Sequence, residues 1–439
     1  MASFLSKQPY KGTRDFYPSE MRLRKWIFSR WESVLESFGF EAYDGPMLEP
    51  FELYSAKSGE ELVRDQLYHF VDRGERKVAI RPEMTPTMAR MVAAKFHELP
   101  KPVRWYSMPN LWRYENPQRG RLREHWQLNC DLLGGDSAEA DFEILEVIYG
   151  IMEAVGGTEF VEIKINHRAL MDTWTNTVLQ ISPEQTYGLY KLIDAMGKLS
   201  QEVFSKKLAA LGLNEQQCAQ VNNFVQGNSL KELVEKHPLP ELERFWQFLQ
   251  RIENSYLKNF VKFDPSILRG LDYYTGFVFE AFDKSPDNRR ALLGGGRYDN
   301  LIGLFGKDSL SGVGFGMGDV TFTDFLVTHQ LVNTPVVENR VFLGSLEGGE
   351  QGSDSMIALA RTLRNRRLSV IRGLEPYKVG HFIKAAIKKG ARFVVFQGEE
   401  ELKAGVVTVK DLQTTEQVRI EPNRVGDWIL LKTDATKLS

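Results

Sequence analysis

The chain is poor in cysteine, has no excess of charge and has no long apolar run, and each shortage excludes a class of protein. Two cysteines, Cys130 and Cys218, cannot build a disulfide framework, and no Cys-x-x-Cys pair offers a zinc site. Two reduced thiols in an intracellular protein are the expectation. Nowhere do about 18 apolar residues run together, so no segment is expected to span a membrane. The opening stretch MASFLSKQPYKGTRDFYP lacks the apolar segment of a secretory signal. The 56 basic and 58 acidic residues leave a net charge of −2, so no global field draws a polyanion to the surface. No glycine-rich loop runs into Gly-Lys-Ser/Thr, and none fits GxGxxG ahead of a Rossmann acid. These shortages predict a soluble, cytoplasmic protein with no resident metal, any polyanionic partner being met by local patches.

What is present is enough for more than one core. A length of 439 residues predicts about two or three domains, and 11% aromatic residues can fill them. After an irregular lead-in, Ser19 is placed as an N-cap for a helix that ends at Gly39. A short stretch at 41–48, carrying Pro46, predicts an irregular or edge strand. Strands with a turn are expected at 66–81, a helix at 85–97, β alternation at 103–135 and a helix at 138–155. Residues 180–256, rich in Leu, Lys, Glu and Gln, read as a helical insertion between two β-rich regions. Residues 329–339 read as a linker, and from 340 strands alternate with helices as in an α/β domain. Residues 336–439 carry 17 basic against 13 acidic side chains, so this part is mildly basic.

Four segments concentrate chemistry. Between Arg104 and Arg123 stand five arginines and one acid, Glu115. Arg113 lies within a β-alternating run, where a charge facing inward needs a partner, and arginine suits phosphate or carboxylate. A hairpin with a solvated basic loop fits the same residues. Leu268–Phe282 carries Tyr273, Tyr274 and Arg269 on a predicted strand, readable also as a core strand whose hydroxyls find partners. Glycine clusters at 292–306 and 311–320 allow either tight turns or close backbone approach to a ligand. Glu83 and Thr85 stand at a strand-to-helix junction, where they either cap the helix or face a site.

Taken together, in this order, the segments resemble the class II aminoacyl-tRNA synthetases, and within that class the histidyl-tRNA synthetase family. The resemblance runs from KGTRDFYP (11–18) to TTEQ (414–417). It is carried by RPEMT (81–85), RYENPQRGRLREHWQ (113–127), RGLDYYTGFVFE (269–280) and GGGRYDNL (294–301). RGLDYYTG is the most specific, because it separates histidine enzymes from threonyl, prolyl or glycyl relatives.

The resemblance implies an α+β fold, an antiparallel sheet flanked by helices. It implies a catalytic core over 1–328 containing the insertion at about 180–256, a linker at 329–339 and an anticodon-binding α/β domain over 340–439. It also implies a homodimer built on the helix of residues 19–38. The implied reaction activates L-histidine with ATP, Mg²⁺ screening the polyphosphate, and then transfers histidine to tRNA(His). Arg113 would hold the α-phosphate and Arg269 would neutralise charge from the opposite side, the two being the catalytic pair. Glu115 would accept from the adenine amino group. Glu83, Thr85 and Gln127 would accept from the α-ammonium, and Asp131 and Tyr274, with Tyr273 beside them, would meet the imidazole. Many relatives carry Glu where Asp131 stands. Class II enzymes usually carry an arginine for the γ-phosphate near the position of Thr321, so the resemblance implies either that another cation, Arg121 or Arg123, holds that phosphate or that ATP binds more weakly. The competing implication is a histidine-sensing paralogue like the regulatory subunit of ATP phosphoribosyltransferase, which lacks the anticodon-binding domain.

Overall fold

The computed structural model describes residues 5–55, 62–135, 138–196, 199–225, 230–236, 239–268, 274–333, 339–346 and 352–437. The chain divides into two compact units, Met1–Asn333 and Thr334–Ser439.

The first unit is organised by one sheet. Its strands lie in the order Glu41–Ala42, Val103–Ser107, Glu124–Leu133, Gly312–Gly318, Ala291–Tyr298, Phe277–Asp283, Val161–His167 and Val261–Phe263. The central pairings are antiparallel, and only the two end strands join in parallel. Asn110–Trp112 folds back on the first residues of Glu124–Leu133 to form a hairpin.

Strand alternation divides the sheet into unlike faces. Leu128, Cys130, Leu132, Val313, Phe315, Met317, Phe277, Phe279, Ile163 and Ile165 are all buried in one apolar cluster. Helices Pro18–Ser37, Ala138–Glu153 and Asp319–Thr328 pack there, with Trp31 fully buried between Phe28 and Phe322. The register sets Gly314 opposite Asp131, Gly316 opposite Asn129 and Gly296 opposite Gly314, so the other face carries polar side chains among glycines.

The first helix begins two residues earlier than a Ser19 cap implies. Pro18 is its first residue, with Tyr17 extended at ψ 170° as the N-cap. Proline has no N–H to leave unsatisfied in a first turn, so it starts the helix without a side-chain cap. Ser19 Oγ instead donates to Glu20 at 2.6 Å. Of the expected strand over 268–282, residues 269–273 lie outside the described residues, and in the described part the strand runs from Phe277. Just before it, Thr275 N–H donates to the Arg297 carbonyl at 2.8 Å and Thr275 Oγ1 to Asp299 at 2.6 Å, which draws this segment into a bend.

Helices Pro183–Asp194, Gln201–Ala210, Glu215–Val225, Leu230–Lys236 and Pro240–Glu253 occupy the interval between Val161–His167 and Val261–Phe263. They share the main apolar cluster. Trp174 stacks on Phe224 at 3.9 Å, and Phe248 meets the strand residue Phe277 at 5.3 Å.

The second unit has a five-stranded sheet in the order Ser369–Arg372, Arg340–Ser345, Phe393–Gln397, Val407–Asp411 and Gln417–Ile420. The first three strands are parallel, Val407–Asp411 runs antiparallel to them and Gln417–Ile420 antiparallel to Val407–Asp411, with helices Gly352–Asn365, Val379–Lys388 and Val425–Lys437 around them. The buried Asp411 carboxylate is held by Arg392 at 3.0 Å. Among the described residues no helix is long and apolar enough to cross a membrane.

Trp31 ties the first helix to the helix that follows the Gly312–Gly318 strand. Trp31→Ala is expected to lower stability by about 3–5 kcal/mol, read as a fall in the urea midpoint. A change under about 1 kcal/mol would show that the cluster closes without it.

Candidate active site

The polar face of the sheet is a site because glycine gives it depth. A Cβ at Gly314 would collide with Asp131 Oδ1 and lie 2.5 Å from the Cys130 carbonyl. One at Gly316 would lie 2.7 Å from Gln127 Nε2. Asp131 and Gln127 therefore lean across the neighbouring strand into space that any other residue would fill. They stand four residues apart on Glu124–Leu133, on one face.

Asp131 is fully buried, and its carboxyl is pushed up to about 7 by that burial, which the hydrogen bond from Tyr298 partly offsets. Its Oδ1 accepts from Tyr298, while Oδ2 makes no hydrogen bond among the described residues. An orphaned buried carboxyl oxygen costs stability unless something donates to it. Tyr43, stacked on Trp105 at 5.2 Å, lies nearby; burial and then the Asp131 charge raise its phenol well above the ordinary range. Tyr274 packs in the same cluster as Tyr298, and its ring carbons lie 2.9 Å from where a Gly296 Cβ would be. Asp131, Tyr298 and Tyr274 thus gather around the paired glycines Gly296 and Gly314. Tyr298 lies in the quoted GGGRYDNL block without a role assigned from the sequence; its two-residue spacing from Gly296, on the same strand face, was the available signal.

The next group forms the rim. Arg81 is buried and donates through Nη1 to Asp44 at 2.7 Å and to the Gly45 carbonyl at 2.8 Å. Arg113 Nε donates to the Pro82 carbonyl at 2.9 Å. Both arginines therefore grip the segment that carries Glu83, and Thr85 opens the helix Thr85–Ala94 directly after it. The N-cap is Met84, without a side-chain cap bond, so neither Glu83 nor Thr85 serves as the cap. Close by, burial pushes His125 down to about 3, with the Arg113 and Arg14 charges adding to the effect. Its imidazole is neutral at physiological pH.

The third group is the loop beyond Arg113. Glu115 is buried and its carboxylate is held by Arg121. Arg123 is also buried. It donates to the Glu115 carbonyl at 3.0 Å and to Tyr10 at 2.8 Å, with the Tyr114 ring 4.1 Å from its guanidinium. These contacts spend Arg123 on holding the loop and the lead-in together, not on facing a phosphate. Arg14 and the buried Asp319 do similar work at 2.8 Å, and Asp319 also accepts from Trp126 N–H at 2.9 Å. Arg269 and Tyr273 lie outside the described residues. The structure thus brings Gln127, Asp131 and Tyr274 together over the glycines, joins Arg113 to the Glu83 segment, and gathers Glu115, Arg121 and Arg123 at the loop.

An antiparallel sheet with a hairpin-and-loop rim, a glycine strand running into a helix and a separate mixed α/β unit is the architecture of the class II aminoacyl-tRNA synthetases. A family model of histidyl-tRNA synthetase matches residues 12–318, and one of an anticodon-binding domain matches residues 335–432. A curated histidine–tRNA ligase of Leptospira biflexa is 43% identical over 419 residues, covering 94% of this chain and 95% of that protein. One from Thermoplasma volcanium is 38% identical over 412 residues, covering 93% and 94%. The crystal structure of histidyl-tRNA synthetase from Nostoc sp. PCC 7120 superposes with a TM-score of 0.82 at 25% identity, over 98% of this chain and all of that one. The chain belongs to the histidyl-tRNA synthetase family.

The raised pKa of Asp131 has a sign that can be checked. The unfolded chain loses this proton near the ordinary aspartate value of 3.8, whereas the folded protein keeps it to about 7. Between those values the folded state binds more protons, so the contribution of Asp131 to stability falls as pH rises and levels off above about 7. Ligand-free Asp131→Asn is expected to gain stability relative to the parent across that interval, measured by urea unfolding at stepped pH. A difference independent of pH would mean that Asp131 titrates normally.

Proposed function

We propose that the chain joins L-histidine to tRNA(His): ATP and histidine give histidyl-adenylate and pyrophosphate, and the terminal ribose hydroxyl of the tRNA then takes the histidyl group. The observation that carries this reading is Asp131, a buried carboxyl with one oxygen fixed by Tyr298 and the other unengaged, in a pocket cleared by glycine. A group that holds its proton to about 7 is closely matched to an imidazole of about 6.5, so one proton can be shared between them. A side chain with no donor or acceptor at that point would leave Asp131 Oδ2 unpaired, which is a strong basis for rejection.

In this reading Tyr274 meets the second imidazole nitrogen with Tyr273 beside it, and Glu83, Thr85 and Gln127 accept from the α-ammonium. Arg113 holds the α-phosphate and Arg269 faces it across the developing charge. The step asks mainly for positioning and charge neutralisation. Glu115 accepts from the adenine amino group, and Arg123 supports that loop. Mg²⁺ enters with the ATP polyphosphate and supplies charge screening there.

The match to an anticodon-binding domain favours the ligase over a histidine sensor without that domain. In the C-terminal unit Lys384, Lys388 and Lys389 are exposed along and just after the helix Val379–Lys388, a cationic face suited to phosphate. Exposed Met47, Leu48, Phe70 and Val71 on or beside a small three-stranded sheet support a homodimer. The reaction is assigned to the cytoplasm.

ATP–pyrophosphate exchange is expected with histidine and with none of the other amino acids. Histidine binding without any exchange would convert the reading to a sensor. Arg269→Ala is expected to leave histidine affinity close to that of the parent while lowering exchange by roughly 10²-fold, as for loss of one charge-stabilising donor. A near-parental rate would remove Arg269 from its role.

A further inference from the structure

We infer that Arg168 is a positioning residue for histidine recognition: from the base of the helical insertion it fixes the backbone of Tyr274. Asn166 and His167 end the strand Val161–His167, and Arg168 opens the short helix Arg168–Thr173, where the chain leaves the sheet for the insertion. Asn166 is buried, and its Nδ2 donates to the Pro265 carbonyl at 3.2 Å and to the Ile267 carbonyl at 3.0 Å. Its Oδ1 accepts from His167 N–H at 2.8 Å. The chain is thereby anchored just before the RGLDYYTG block. Arg168 holds the other end: its N–H donates to the Gly276 carbonyl at 2.9 Å, and its Nη1 donates to the Tyr274 carbonyl at 3.3 Å. One tripeptide thus grips the chain on both sides of that block.

The peptide group between Tyr274 and Thr275 is where this matters. Its carbonyl accepts from Arg168, and its N–H donates to the Arg297 carbonyl at 2.8 Å. A planar peptide held at both polar ends cannot turn without breaking a hydrogen bond. The Tyr274 ring therefore leaves the chain in a fixed direction, toward Gly296, and packs 2.9 Å from where a Cβ of that glycine would be. Any residue at position 168 would supply the backbone bond to Gly276, but the bond to Tyr274 needs the guanidinium. The Arg168 side chain is half-buried and stands 3.6 Å from Asp172, one turn along the helix. Such an exposed pair adds little stability, but it orients the guanidinium. The insertion bears on the same corner. Phe245 of the helix Pro240–Glu253 packs 5.1 Å from the His167 ring, and His167 Nε2 lies 3.5 Å from where a Gly276 Cβ would be. Burial, with the charges of Arg297 and Arg244, lowers His167 to about 4, so it stands neutral beside Arg168.

The inference rests on the proposed histidine pocket, and the test separates the two. ATP–pyrophosphate exchange is measured for the parent, Arg168→Ala and Arg168→Lys, with KM taken separately for histidine and for ATP and the urea midpoint read alongside. Arg168→Ala is expected to raise the histidine KM by roughly 10-fold, the low end for a hydrogen bond from a charged group, and to leave the ATP KM parental. Arg168→Lys keeps a charged donor and should recover much of the loss. A side chain with a purely structural role would shift the urea midpoint and move both KM values together or neither. A parental histidine KM in Arg168→Ala, an equal rise in both KM values, or no recovery in Arg168→Lys would overturn the assignment. A parent that shows no exchange with histidine would instead overturn the proposed function.

Discussion

The catalytic sheet is unbroken and apolar on its helix-covered face and opened by glycine at the middle of the other, and the site follows from that. Phe277, Phe279, Phe315 and Met317 fill the helix-covered face, while Gly294, Gly296, Gly314 and Gly316 open a gap in the other, beside the smaller apolar cluster of Val103, Leu133 and Tyr298. The apolar face stabilises the unit; the glycine face creates clearance for Gln127 and Asp131 to lean into. Both arise from a single alternation of period two, so a one-residue slip in register would place glycine in the core and phenylalanine in the site. The site therefore depends on the register that the Gly312–Gly318 strand makes with both of its neighbours.

Around that clearance, electrostatic groups fall into those that act and those that hold. Arg81, Arg14 and Arg123 are held by backbone carbonyls, buried acids or tyrosine, and each ties one rim segment to another. Arg113 does both, since its Nε anchors the Pro82 carbonyl while its charge contributes to the field that keeps His125 neutral. Asp131 is the exception to the general pairing of buried charge. Only a protonated or ligand-engaged carboxyl is inexpensive there, which makes the resting pocket receptive to a group that shares a proton.

Much of this was legible in the sequence, for definite physical reasons. Alternation around Gln127 and Asp131, the helix from residue 85 and the helical character of 180–256 are local patterns, and each folds as its pattern suggests. The resemblance in RYENPQRGRLREHWQ and RGLDYYTG supplied the family, which the comparisons bear out. What could not be read depends on contacts between distant segments. The role of Tyr298 needs Gly296 and Gly314 to be neighbours, and Arg123 reads as a phosphate ligand until Tyr10 and Tyr114 are seen around it. The cap of the first helix was misplaced by two residues because Ser19 has the chemistry of a cap, whereas Pro18 already has the backbone geometry of a first turn.

The central claim is that glycine clearance at the polar face is what permits recognition by Asp131. Calorimetric titration of histidine into Gly314→Ala, with the fold checked by circular dichroism, tests it most directly. The account predicts a folded protein that no longer binds histidine measurably, because the new Cβ would lie against the Cys130 carbonyl and in the place of the Asp131 carboxyl. A folded Gly314→Ala protein that binds histidine as tightly as the parent would contradict it.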